Sequence, residues 1–363
     1  MFFLSRLTSP FRSIAVVALI CVLAALSSSC SRPKSDAVET QPLLQGATMG
    51  TTYTVRFLPE LGSPSRQEMH RLIEEELKRV NQQMSTYIKD SEITRFNDSK
   101  STDWFPVSME TAKLVDLSLQ ISVVSDGAFD VTVGPLVNLW GFGPVKRKNS
   151  IPTDTELEAA SAHVGYKNLS VRLDPPALKK SDPELKADLS AIAKGHGADR
   201  VGKVIETNGI KNYFVEIGGE ILASGNRVDG QPWQVGIEAP LDFKRSIQTV
   251  IGLSGVALAT SGDYRNFFES EGQRFSHTID PNTGRPVTHQ LASASVVADN
   301  CTLADAIATC MMVLGPEQGL QLAETKNWAV ILMQRKNGQI SSTCSTRFTE
   351  LFPEVSKQLT VAE

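Results

Sequence analysis

The apolar segments in the second half of this chain come in groups, and that grouping limits the fold more than any other feature. Tyr213–Ile217, Trp233–Ile237, Thr249–Leu253, Ala292–Ala298 and Trp328–Met333 each read as a strand: short, apolar and bounded by turn formers. The strict strand–helix alternation of a doubly wound parallel sheet is missing. The expected fold class is therefore α+β, with mixed or antiparallel sheets flanked by helices in two intimately packed subdomains.

Upstream, Thr52–Phe57 alternates as a further strand. Ser65-x-x-Glu68 has the form of a capping box, and Met69, Leu72, Ile73, Leu77, Val80 and Met84 follow at helical spacing. Other helices are expected over Met109–Val124, Gly197–Thr207, Leu303–Leu314 and Glu317–Thr325. At 363 residues, with 41% hydrophobic and 21% charged, the chain can bury a sizeable core and is not of disordered composition. A net charge of -4 leaves no basic footprint for nucleic acid.

The N-terminus carries an address. Arg6 and Arg12 precede the apolar run Ile14–Leu26, which is followed by Ser27-Ser28-Ser29-Cys30. That run is shorter than the roughly 20 residues a spanning helix needs, and its basic start and small-residue exit make an export signal. Residues 1–30 are thus expected to be a lipoprotein-type signal, 31–45 a polar linker, 46–355 the working domain and 356–363 a tail. Cys30 is the candidate lipid-attachment site, although Ser27 stands where lipoprotein signals carry an aliphatic residue. The alternative is ordinary cleavage between Ala25 and Ser29. Either route delivers the protein to the periplasmic side of a bacterial membrane. Past the signal the cysteines are Cys301, Cys310 and Cys344, an odd number that argues against a disulfide-stapled scaffold. There is no C-x-x-C and no Cys/His cluster to hold zinc.

Two nucleotide fingerprints fail. Gly195-His-Gly197-Ala-Asp-Arg200 has arginine where a dinucleotide loop needs its third glycine. Gly197 to Val204 begins like a Walker A loop but ends in valine, without the hydroxyl that would hold Mg²⁺.

Four polar clusters remain. In Asp126-Gly-Ala-Phe-Asp130, Gly127 reads either as a helix C-cap or as backbone exposed to a ligand, with Phe129 as core or as a flat platform and Asp130 as an acceptor. In Asp188-Leu-Ser-Ala-Ile-Ala-Lys194-Gly195 a strand is expected to give way to a helix start, where free N–H groups and Lys194 favour phosphate. His196 reads as a surface-loop residue. In Thr260 to Pro286, His277 feeds rigid turn chemistry and is the candidate general base. In Asn300 to Thr309, Asp305 and Thr309 share one helix face and suit a hard cation, while Thr302-x-x-Asp305 also reads as a capping box. A cation, a hard-metal pair, an aromatic platform and a titratable base are the parts of phosphoryl or nucleotidyl transfer.

The order of these motifs, with Met49-Gly-Thr51, Met84-Ser-Thr-Tyr87, Ser91-Glu92, Asn97, Ile217-Gly-Gly219-Glu220 and Thr260-Ser-Gly-Asp-Tyr264, resembles the ApbE family of bacterial FAD:protein FMN transferases. The resemblance runs from about Gly46 past Gly315. It implies an ApbE-like fold and a Mg²⁺-dependent enzyme that moves the FMN half of FAD onto a threonine or serine of an acceptor protein and releases AMP. By the same resemblance FAD contacts Met49, Tyr87, Ala128, Phe129, Asp130, Asp188, Lys194 and Ile279. The ion is held by the Ala191 carbonyl, Asp305 and Thr309, with Ala308 where relatives often carry a second aspartate. His277 is the implied catalytic base, and Gly218-Gly219 would let backbone approach the ligand. The implied partners are FAD, a membrane or periplasmic redox subunit, and the inner membrane through a lipid anchor, with the outer membrane as the other option. The rival readings are an FAD pyrophosphatase giving FMN and AMP, and a flavin-binding lipoprotein without turnover.

Overall fold

The computed structural model describes residues 41–144, 151–241, 246–263, 266–270, 272–336 and 339–361. The expected export signal, Cys30 and the linker up to residue 40 lie outside the described residues, as do Tyr264 and Arg265. No helix among the described residues is long and apolar enough to cross a membrane.

The chain opens with a hairpin of β1 (Leu43–Thr48) and β2 (Thr51–Phe57), so the linker expected through Gln45 gives way to strand at Leu43. Pairing with β2 supplies the backbone partners that a polar, weakly patterned stretch does not advertise. Next come α1 (Arg66–Met84), α2 (Glu92–Asp98), β3 (Phe105–Pro106), α3 (Met109–Val124), α4 (Gly134–Leu139), α5 (Asp154–Ser161), β4 (Leu169–Leu173) and β5 (Pro176–Lys180). The Ser65 hydroxyl accepts the Glu68 N–H at 3.2 Å, but the Glu68 carboxylate turns to Arg71, so the capping box is half made. Met69, Ile73, Leu77, Val80 and Met84 are buried as their spacing requires, each contributing roughly 1.5–3 kcal/mol.

The second half contains α6 (Ala193–Thr207), β6 (Tyr213–Ile217), β7 (Glu220–Ser224), β8 (Trp233–Glu238), β9 (Ile247–Leu253), β10 (Val256–Gly262), β11 (Phe267–Ser270) and β12 (Gln273–Ser276). After these lie β13 (Ile279–Asp280), β14 (Arg285–Pro286), β15 (Leu291–Ala298), α7 (Cys301–Lys326), β16 (Ala329–Lys336), β17 (Gln339–Cys344), α8 (Thr346–Leu351) and α9 (Pro353–Val361). The eight-stranded sheet runs β1-β2-β6-β7-β10-β15-β16-β17, antiparallel throughout. From Thr40 to Glu363 the chain clusters as one compact unit, so the two expected subdomains share a single body.

Helices α6 and α7 pack closely because Gly195 has no side chain. A Cβ there would lie 2.3 Å from the Cys301 carbonyl oxygen. Helix α7 is two helices in succession, as the sequence suggests, kinked where Gly315 takes φ +79° ahead of Pro316. At that break the His289 Nε2–H donates to the Met312 carbonyl at 2.9 Å. Cys301, Cys310 and Cys344 are free thiols.

Candidate active site

Five segments converge on a cavity of about 290 Å³. Its walls include Tyr87, Ala128, Phe129, Asp130, Asp188, Ala191, Lys194, His277, Ile279 and Thr309, all expected from sequence. Met49 is not among the lining residues. Its side chain packs instead on α6, where a Cβ on Gly197 would meet the Met49 methyl at 2.8 Å. Asp305 lies beneath the lining, with 1% of its surface exposed.

The Asp126–Asp130 segment follows α3 as a left-handed exit, with Asp126 at φ +50° and Gly127 at φ +82°. The Gly127 N–H donates to the Ser122 carbonyl at 2.8 Å, so Gly127 closes the helix. Phe129 is buried in the apolar core and presents only part of itself to the cavity. Asp130 accepts from the Thr132 N–H and hydroxyl through Oδ1 and from the Tyr166 N–H through Oδ2, each at 2.7 Å. Burial nonetheless pushes its pKa up.

The segment carrying Asp188 has no regular secondary structure, contrary to the strand expected there. Two contacts hold it in place of a ladder. The Asp188 N–H donates to the Val131 carbonyl at 2.6 Å, and the Asn97 side chain brackets Ala187. The fully buried Lys180 adds bonds from Nζ to the carbonyls of Asn97 and Leu185. Asp188 Oδ1 accepts from the Ser190 N–H and hydroxyl. Tyr87 stands at the mouth, 67% exposed.

Helix α6 begins at Ala193, four residues before the expected start, which puts Lys194 and His196 inside it. His196 is therefore half-buried on a helix, not in a surface loop, and its Nε2 has no hydrogen-bond partner. Lys194 Nζ lies 2.9 Å from Glu220 Oε1 and 3.7 Å from Asp305 Oδ1. Burial would lower the lysine pKa, but these two carboxylates outweigh it and raise it. Asp305 Oδ2 accepts the Gly195 N–H at 2.9 Å. The N-cap of α7 is Asn300, which accepts from Leu303, while Asp199 accepts the N–H groups of Cys301 and Thr302. The capping reading of Asp305 therefore falls. Two other residues fill that post and free its carboxylate for the interior.

His277 follows β12, whose Phe275 stacks on Trp140 with centroids 5.5 Å apart. Its Nδ1–H donates to the Asn266 carbonyl at 3.0 Å, which leaves Nε2 with the lone pair. Burial holds its pKa below the ordinary imidazole value.

Sequence reasoning assigned no role to Glu220 or to the apolar wall of Val133, Val137 and Phe142. The signal for Glu220 was an acid directly after Gly218-Gly219 at the head of an apolar strand. Those glycines, at φ +62° and +107°, form the two-residue hairpin turn between β6 and β7. Neither glycine lines the cavity.

Residues 49–332 match the ApbE family. The chain belongs to the ApbE family. A Vibrio cholerae relative named FAD:protein FMN transferase is 43% identical over 333 residues, covering 92% of this chain and 97% of the relative. An Escherichia coli relative of the same name is 39% identical, over 84% and 88% of the two chains. Among solved ApbE structures, that of the Vibrio cholerae flavin transferase superposes with a TM-score of 0.80 at 42% identity, covering 85% of this chain and 98% of that one. The apo form of the Pseudomonas stutzeri flavinyl transferase gives 0.79 at 39% identity, over 86% and 96%. These ApbE structures share the mixed helical and antiparallel-sheet fold seen here.

Proposed function

We propose that this protein transfers FMN from FAD to a threonine or serine hydroxyl of an acceptor protein, with release of AMP. The observation that carries the reading is one cavity lined by both the Lys194 ammonium and His277, whose Nε2 carries the free lone pair. At about 290 Å³ the cavity lies at the lower limit of ligand cavities, which run from about 300 to 1,000 Å³, room for part of a dinucleotide.

In this reading Lys194 neutralises the diphosphate, and Tyr87 and Asp188 orient the flavin half at the rim. His277 Nε2 accepts the proton of the incoming hydroxyl as its oxygen bonds to the FMN-side phosphorus. The bond from that phosphorus to the bridging oxygen breaks and AMP leaves with the electron pair. A positioned base of this kind is worth about 10²–10⁴-fold.

Mg²⁺ fits the oxygen donors present: the Ala191 carbonyl, the Asp305 carboxylate and the Thr309 hydroxyl would hold it, and the buried, unpartnered Glu220 Oε2 lies beside the same lysine. When bound, the ion would offset the negative charge of the diphosphate. Ala308 supplies no second carboxylate there.

The test is to incubate protein lacking residues 1–30 with FAD, Mg²⁺ and candidate periplasmic redox subunits. Mass spectrometry should find covalent FMN on a threonine or serine. FMN and AMP formed equally without acceptor would make the protein a pyrophosphatase, and unchanged FAD would make it a carrier. We also propose that Cys30 anchors the protein to the periplasmic face of the inner membrane. Cys30→Ala should then release it to the soluble periplasmic fraction.

A further inference from the structure

Glu220 is 3% exposed, deep enough that a carboxylate needs a partner. Its position follows from the turn before it. In the β6–β7 hairpin Ile217 pairs with Glu220, so the acid is the first residue out of the turn. The lysine reaches it over Gly218, where a Cβ would meet Thr51 Cγ2 at 2.8 Å and Lys194 Cδ at 3.4 Å. The two carboxylates around Lys194 are not equivalent. Asp305 gives Oδ2 to the Gly195 N–H and stays 3.7 Å from the ammonium. Glu220 makes the 2.9 Å contact, and its other oxygen is buried with no hydrogen-bond partner.

We propose that Glu220 is a positioning residue that pins the Lys194 ammonium at the back of the cavity, so that the diphosphate meets a fixed cation. This rests on the flavin-transfer reading of the site. A free lysine loses considerable rotamer entropy when it is immobilised on a ligand, whereas one held by Glu220 has lost that freedom during folding. Glu220 also places a negative charge close to where an anionic ligand binds. It therefore weakens ground-state attraction while fixing the geometry that the transition state requires.

The proposal separates binding from turnover. In Glu220→Gln, FAD titrated by flavin fluorescence in EDTA should bind as tightly as to wild type or several-fold more tightly, while kcat falls tenfold or more. Lys194 should become more reactive. Its acetylation by acetic anhydride, followed by peptide mass mapping, should speed up at least threefold, while the buried Lys180 stays protected as a control for folding. If Gln labels Lys180 and so opens the fold, Glu220→Asp carries the same test, because it keeps the charge and withdraws it by one methylene. FAD affinity falling in step with kcat, or Lys194 labelled at the wild-type rate in the folded variant, overturns the proposal. The labelling does not require turnover. A wild-type protein that transfers no FMN would refute the proposed activity and leave the Glu220 pin to be judged on Lys194 alone.

Discussion

Asn97 and Ala187 exchange two hydrogen bonds. The Asn97 side-chain amide donates to the Ala187 carbonyl, and the Ala187 N–H donates to Asn97 Oδ1, both at 2.8 Å. The pair is buried and imitates one rung of a sheet for a segment that belongs to no sheet. It sets the position of Asp188, the next residue, at the cavity wall.

Removing that rung leaves two buried backbone groups without partners. Asn97→Ala should cost about 2–4 kcal/mol of stability, read as a lower urea midpoint. It should also weaken FAD binding through the loosened Asp188 segment. Wild-type affinity in the folded variant would separate the rung from the site.

His277→Ala should retain FAD binding and lose about 10²–10⁴-fold in transfer rate. The wild-type pH profile gives the sign. The base acts as neutral imidazole, and burial keeps its pKa below the usual value of about 6.5. The rate should therefore rise with pH on the acid side and be level by about pH 7. A rate still climbing above that point would assign the base elsewhere.

Asp305→Asn keeps the volume of the side chain and removes its charge. The Mg²⁺ concentration for half-maximal rate should rise about 10–100-fold. An unchanged Mg²⁺ titration would leave Asp305 with only its contacts to Gly195 and Lys194.

Gly195→Ala tests the contact between α6 and α7. The new methyl would lie 2.3 Å from the Cys301 carbonyl oxygen and 2.8 Å from the Asp305 Cβ. Neither neighbour can move without moving α7. The expected loss is about 1–3 kcal/mol, with a further fall in activity because the Gly195 N–H leaves Asp305.

His196 predicts an acid sensitivity. Burial, with a contribution from Arg200, pushes its pKa down to about 4, against about 6.5 in an unfolded chain. Between those values the unfolded chain binds the extra proton, so stability falls as pH drops from about 6.5 toward 4. Above that window the group contributes no pH dependence. His196→Gln should lose less urea resistance than wild type between pH 7 and pH 4.5. Parallel losses would show that the imidazole is solvated.

Local patterns were readable wherever one physical cause acted within a few residues. The α3 boundaries Met109–Val124 and the strand Tyr213–Ile217 come out as their periodicity and turn signals require. Local reading erred where a distant partner overruled it. Asp305 looked like part of a cap until Asn300 and Asp199 were seen to fill that role. His196 looked like a loop residue until α6 began early enough to include it.

The order of residues along the chain determined the antiparallel α+β class and the chemical types at the site, because strand period, helix period and turn chemistry act over short spans. It also carried the motif order by which the family is recognised. Only the tertiary structure decided which carboxylate holds Lys194, which imidazole nitrogen keeps its lone pair and which acid is buried. Those outcomes depend on desolvation and on distances between residues far apart in the chain, such as Gly195 and Asp305, 110 residues apart, and no local pattern encodes either quantity.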